Sequence, residues 1–98
     1  MNIDPETMEA LDSAILKVLD TNRTRFGLSV VALSHHLAGF GFLPGQFGGA
    51  EAFHNILLDR LDYLGGKQLV EEVAKVTHKE NRAWRITTKG MQYVDERG

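Results

Sequence analysis

The densest group of chemically versatile side chains lies near the C-terminal end of this 98-residue chain. Between residues 73 and 90, five cations face a single acid, Glu80, so the segment carries a net charge of +4. The cations are Lys75, Lys79, Arg82, Arg85 and Lys89. Such a group of ammonium and guanidinium groups can bind phosphate locally; the alternative is a solvated pair of strands with ordinary surface charges.

The N-terminal end of the chain has the opposite charge. Residues 1–22 contain five acids against Lys17, a net charge of −4 within a chain of net charge −2. The acids are Asp4, Glu6, Glu9, Asp12 and Asp20. The total charge does not favour a nucleic-acid partner, but its separation into two ends leaves local phosphate binding open.

The four histidines do not have the spacing of a metal site. His35 and His36 are adjacent, so a helix would direct them about 100° apart and they could not readily share one ion. His54 and His78 each lie apart from the other histidines in the sequence. Because no nucleophile turn is evident either, we expect no enzyme activity, no metal and no cofactor.

The composition indicates one ordinary globular domain over residues 1–98. Hydrophobic residues make up 43% and charged residues 24% of the chain, which is enough for a single core. There is no cysteine, and no apolar run approaches the roughly 20 residues that cross a bilayer. We therefore expect a cytoplasmic protein without a membrane partner.

Apolar periodicity and capping residues predict three helices in the first two thirds of the chain. They run from Pro5 to about Thr21, from the residue after Ser29 to Ala38, and from Ala50 to Leu64. Asp4 and Ser29 can cap the first two helices, and Gly65-Gly66 can end the third. The buried stripe of the third helix is predicted to be Phe53, Ile56, Leu57, Leu61 and Leu64.

A hairpin and a last short helix are predicted to follow. Leu69–Thr77 is rich in β-branched residues, and residues 78–81 form a polar break. Arg82–Thr87 alternates in polarity, with Trp84 and Ile86 on the inner face. A threonine at 87 or 88 can cap a final helix that carries Met91 and Val94. The predicted fold class is mainly α with a small β-hairpin, an α+β arrangement.

The end of the hairpin resembles a signature of winged helix-turn-helix proteins. Trp84-Arg85-Ile86-Thr87-Thr88-Lys89-Gly90 is similar to the aromatic-x-apolar-Thr-x-x-Gly phrase that closes the wing in many bacterial members of this family. The resemblance implies three helices, a two-stranded wing and a short C-terminal helix. It also implies a short strand before the second helix that pairs with the wing, for which residues 26–28 are the only candidate.

The resemblance implies a small transcriptional regulator that binds double-stranded DNA. The third helix would enter the major groove and read bases through His54 and Asn55. Basic residues of the wing and its flanks would contact phosphate or the minor groove. The residues implied in these contacts are Lys79, Arg82, Arg85 and Lys89, with Arg23 and Arg25 adding backbone contacts. Pseudo-palindromic operators would favour a homodimer.

The third helix also carries the main argument for an alternative function. Its predicted outer face contains Glu51, Asp59 and Asp62, which phosphates would repel unless Arg60 reaches outward past the core. The alternative is a winged-helix module that binds a protein partner rather than DNA. A negative face on the third helix would favour this alternative.

The segment between the second and third helices is longer than a helix-turn-helix needs. Residues 39–49 contain five glycines and three phenylalanines, whereas the usual turn has about three or four residues. Phe40, Phe42 and Phe47 either cover one end of the core or form a contact surface for a protein partner.

Overall fold

A computed structural model describes residues 4–23, 26–73 and 82–97 of the chain. The elements are α1 (Pro5–Thr21), β1 (Leu28–Ser29), α2 (Val30–Ala38), a 3₁₀ helix (Pro44–Phe47), α3 (Ala50–Gly66), β2 (Val70–Glu72), β3 (Ala83–Ile86) and α4 (Thr88–Arg97). The protein is mainly helical with a small antiparallel sheet, which confirms the predicted α+β class.

The three strands form one antiparallel sheet in the order β1-β3-β2. Trp84 of β3 lies at its centre, opposite Leu28 on one side and Glu72 on the other. The strand expected at residues 26–28 is therefore present but begins two residues later. Gly27 has a φ of +68°, and a Cβ there would come within 2.5 Å of the carbonyl oxygen of Trp84, so the chain turns into the sheet at this glycine.

The core lies between the helices and one face of the sheet. Trp84 and Ile86 are both buried, as their alternation in the sequence predicted. Of the predicted α3 stripe, Ile56 is only partly buried, whereas the other four residues are buried. The helices contribute the fully buried residues Leu11, Ile15, Leu16, Leu19, Leu33, Leu37, Phe53, Leu57 and Leu61.

Side-chain caps begin the first two helices at the predicted residues. Asp4 Oδ1 accepts a hydrogen bond of 2.7 Å from the Thr7 amide, and this bond holds the pKa of the Asp4 carboxyl below its ordinary value. Ser29 Oγ accepts from the Ala32 amide at 3.2 Å. These caps satisfy amides that the helix itself leaves unpaired.

Two predicted boundaries were wrong near residue 65. The third helix continues through both glycines to Gly66, and the chain reverses instead at Gln68, which has a φ of +65°. Leu69 does not begin the strand, because its amide donates to the carbonyl of Leu64 and so closes the end of α3. Residues 74–81, where the predicted first strand ends and the polar break falls, lie outside the described residues.

Candidate nucleic-acid interface

The outer face of α3 is acidic. Glu51, Asn55, Asp59 and Asp62 recur at helical spacing on the side opposite the buried stripe, and all four are exposed. The residues that α3 itself places on this face include three carboxylates and no cation, and Arg82 lies against one of the carboxylates, Asp62. A helix that enters a groove lined by phosphates gains affinity by releasing counterions from them, so a face of this charge opposes entry.

The arginine of α3 points away from this acidic face. Arg60 donates to both carboxylate oxygens of Asp12 on α1, at 2.8 and 2.6 Å, and both side chains are largely shielded from solvent. The same contact raises the pKa of Arg60 above its ordinary value. Arg60 therefore does not reach outward past the core, and it does not offset the negative charge of the outer face of α3.

Arg82 is bound by acids on two elements. Its guanidinium donates to both carboxylate oxygens of Glu72 at 3.0 Å, lies 3.6 Å from Asp62 of α3, and covers the ring of Trp84 at 4.8 Å. The hydrogen bond with Glu72 raises the pKa of Arg82. This residue joins the sheet to α3, and its charge is largely balanced within the protein.

The other predicted phosphate-binding arginines also have acidic partners. Arg85 donates to Glu71 across the sheet at 2.7 Å, and Arg23 donates through Nε to Asp20 at 2.9 Å. Exposed pairs of this kind exchange partners at little cost, so they weaken phosphate binding without abolishing it. Lys89 is exposed and forms no ion pair with any described residue. Lys79 and Arg25 lie outside the described residues.

The two predicted base-reading residues differ in accessibility. Asn55 is exposed in the middle of the acidic face, whereas His54 is half-buried at its border. The structure therefore brings Asn55 together with three carboxylates rather than with the basic side chains that the DNA-binding hypothesis expects beside it.

The glycine- and phenylalanine-rich segment divides into a buried and an exposed part. Phe47 is buried and stacks on Phe53 at 4.8 Å, and Phe42 is half-buried with its ring 6.4 Å from that of Phe47. Phe40 and Leu43 are each about half exposed, at 50% and 49%. Phe42 and Phe47 therefore cover one end of the core, as one of the two predictions held. Phe40 and Leu43 instead expose apolar side chains at the surface, in the segment that precedes α3.

A polar cleft between α1, α4 and the end of α3 was not predicted. Tyr63 of α3 has Arg60 at 4.3 Å and Lys67 at 4.6 Å from its ring centre, and Tyr93 of α4 has Arg97 at 4.7 Å. The sequence spacing could have indicated these cation–tyrosine contacts, because each cation stands three or four residues from the tyrosine that it covers, which puts the two side chains on the same side of a helix.

The described residues contain neither a metal-binding group nor a membrane-spanning helix. No group of three or more metal-ligating side chains lies close enough to hold an ion in that part of the chain. No helix of the described ranges is both long and apolar enough to span a bilayer. No family model, no curated protein and no solved structure matches this chain.

Proposed function

We propose that this protein is a winged-helix module that binds a basic protein segment through the acidic face of α3 (Glu51, Asn55, Asp59 and Asp62) and the exposed apolar residues Phe40 and Leu43 of the segment that precedes α3. The observation that carries the proposal is that α3 offers three exposed carboxylates and turns its arginine inward. In this proposal the partner supplies lysines or arginines together with apolar anchors.

Winged-helix architecture is supported by the order of the elements. A helix, a short strand, two helices, two antiparallel strands and a last helix follow one another, and the sheet order β1-β3-β2 places the first strand beside the hairpin. This arrangement agrees with the strand that the resemblance implies before the second helix. In DNA-binding members of the winged-helix family, the third helix is the element that enters the major groove.

The exposed apolar residues come shortly before the acids in the sequence. Leu43 immediately precedes the 3₁₀ helix, whose last residue is three positions before Ala50, the start of α3. Glu51 follows in the first turn of α3. An interface with an apolar centre and charged groups at its rim is the usual arrangement for recognition between proteins.

DNA binding remains the second candidate. Its support is the winged-helix order and the basic sequence between residues 73 and 90, including Lys89, which pairs with no described carboxylate. Contact would then run through the wing rather than through α3. The homodimer expected for an operator-binding protein stays a prediction tied to this candidate.

The test compares two labelled probes on the full chain by fluorescence anisotropy. One probe is a random-sequence duplex at about 25 and about 200 mM salt, and the other is an amphipathic peptide of lysine and leucine. We expect saturable peptide binding and no salt-sensitive duplex binding. Strong duplex binding at low salt would instead support the DNA candidate.

A matched pair of variants assigns the peptide to a surface. Glu51→Gln/Asp59→Asn/Asp62→Asn removes three charges from α3, and Glu6→Gln/Asp95→Asn/Glu96→Gln removes three exposed charges elsewhere. We expect the first variant to weaken peptide binding about tenfold and the second to change it less than threefold. Equal losses in both variants would show that net charge, and not this face, attracts the peptide.

A further inference from the structure

The polar cleft between α1, α4 and the end of α3 has the size of a small-molecule site. Its volume is about 380 Å³, near the lower end of the range of roughly 300–1,000 Å³ typical of ligand pockets. Leu16, Leu64 and Leu69 form its buried apolar floor, and the rings of Tyr63 and Tyr93 line it. This volume suits a ligand of one or two rings rather than a dinucleotide.

The two cations of the cleft lie over the rings of Tyr63 and Tyr93 and have no carboxylate partner among the described residues. These cations are Lys67 and Arg97, and both line the cleft. The neighbouring Tyr63 raises the pKa of Lys67, and a lysine ammonium is charged at neutral pH. Main-chain amides of Gln68 and Leu69 already bind the last carbonyls of α3, so the Lys67 side chain is not needed to cap this helix.

The two acids of the cleft differ in what they leave for a ligand. Asp12 is held in the guanidinium fork of Arg60, so its charge is balanced within the protein. Glu9 also lines the cleft and is exposed. The cleft therefore presents two cations against one acid that has no described ion-pair partner, together with two aromatic rings.

We propose that this cleft binds a small aromatic carboxylate. Its ring packs on the leucine floor of the cleft beside Tyr63 and Tyr93, and its carboxylate is bound by Lys67 and Arg97. The proposal does not depend on the function proposed for the acidic face of α3, because the two surfaces share no residue. It assigns the protein a ligand site in addition to its macromolecular partner.

The experiment titrates the full chain with 1-naphthoate, and separately with the neutral 1-naphthamide and with acetate, by calorimetry and by amide chemical shifts. We expect saturable binding of 1-naphthoate, with shifts at residues 63, 67, 93 and 97, and at least tenfold weaker binding of the other two probes. Equal affinity for 1-naphthamide would overturn the proposal, because the cations would then contribute nothing. Absence of saturable 1-naphthoate binding would overturn it as well.

Variants that should change the affinity for 1-naphthoate in opposite directions test which side chains of the cleft contact it. Lys67→Met and Arg97→Met should each weaken 1-naphthoate binding about fivefold or more, whereas Glu9→Gln should strengthen it about twofold. Arg85→Met removes one exposed positive charge outside the cleft and should leave the affinity unchanged. All four positions are exposed, so the fold should persist, and circular dichroism checks it. An unchanged affinity in both the Lys67 and the Arg97 variants would contradict the assignment.

Discussion

At the residue scale, several charged side chains of this protein form ion pairs that connect one helix or strand to another. Arg60 and Asp12 are 48 positions apart in the sequence and connect α3 to α1 by two hydrogen bonds. Arg82 is hydrogen-bonded to Glu72 of β2 and connects the sheet to α3 through an ion pair with Asp62 at 3.6 Å. Cations that a sequence offers as phosphate ligands can thus be occupied by acids brought close only by folding.

The ion pair between Arg60 and Asp12 should contribute measurably to stability. Both side chains are mostly shielded from solvent, at 19% and 13% exposure, and the contact is bidentate. A double-mutant cycle with Arg60→Met and Asp12→Ala, measured by urea unfolding, should give a coupling free energy of about 1–2 kcal/mol.

The pair between Arg23 and Asp20 is the matched control for that cycle. The Arg23 side chain is 54% exposed and lies three positions from its partner, so its cycle should give about 0.5 kcal/mol or less. Equal coupling in the two cycles would show that shielding from solvent does not strengthen the inner pair.

Gly90 should be intolerant of any side chain. It is buried in the first turn of α4, and its amide donates to Thr87 Oγ1 at 3.0 Å. A Cβ there would overlap the carbonyl oxygen of Leu69 and approach Ile86 Cγ1 to 2.7 Å. Gly90→Ala should therefore lower the free energy of unfolding by about 2 kcal/mol or more.

Gly66→Ala provides the comparison for that substitution. Gly66 also belongs to a helix, but a Cβ on it would meet no atom within 4 Å. This change should raise the free energy of unfolding by up to about 1 kcal/mol, since alanine favours the helix. Thermal or urea unfolding of both variants measures these changes in the free energy of unfolding. An unchanged value for Gly90→Ala would show that the Leu69 carbonyl can move away from the added methyl group.

At the scale of elements, local signals predicted the helices well. Caps at Asp4 and Ser29, the alternation around Trp84, and the threonine before α4 are all present as expected. These features depend on residues a few positions apart, so the sequence shows them directly. The end of α3 was misjudged: the helix includes both glycines, and the chain reverses two residues later at Gln68, where local hydrogen bonds to the carbonyls of Leu64 and Gly65 close the helix.

In the segment joining α2 to α3, we expect one phenylalanine to contribute mainly to stability and another to contribute mainly to peptide binding. Phe47 is 5% exposed and stacks on the fully buried Phe53, so Phe47→Ala should cost about 3 kcal/mol or more of unfolding free energy. Phe40 is half exposed, and Phe40→Ala should cost well under 1 kcal/mol while weakening binding of the lysine-leucine peptide.

Urea unfolding and peptide anisotropy on the same two variants separate these effects. A large loss of stability in Phe40→Ala would place that ring in the core. Unchanged peptide affinity in Phe40→Ala would remove it from the proposed interface.

At the scale of the whole molecule, the candidate interface could be predicted only in outline. The order of the elements and the position of the acids on the outer face of α3 were predicted from the sequence, and both agree with the structure. It does not show which arginines are occupied, because the pairs of Arg82 with Glu72 and Arg85 with Glu71 depend on strand register. Patterns within a single segment carry no information on such long-range pairing.

The charge of α3 should decide whether this architecture can bind DNA. Glu51→Lys/Asp59→Lys replaces two exposed acids and leaves Asp62 in its contact with Arg82. If α3 is presented as in DNA-binding winged-helix proteins, the variant should acquire salt-sensitive affinity for a random-sequence duplex. The control Glu6→Lys/Asp95→Lys changes the net charge equally on α1 and α4.

The salt dependence of the two variants distinguishes geometry from net charge. Two lysines that both reach phosphates should steepen the slope of log affinity against log salt by about 2 relative to the control. Equal slopes would mean that total charge alone attracts the duplex. If neither variant binds, α3 does not meet the duplex even without its acids, and the acidic charge of the wild-type helix is then not what prevents DNA binding.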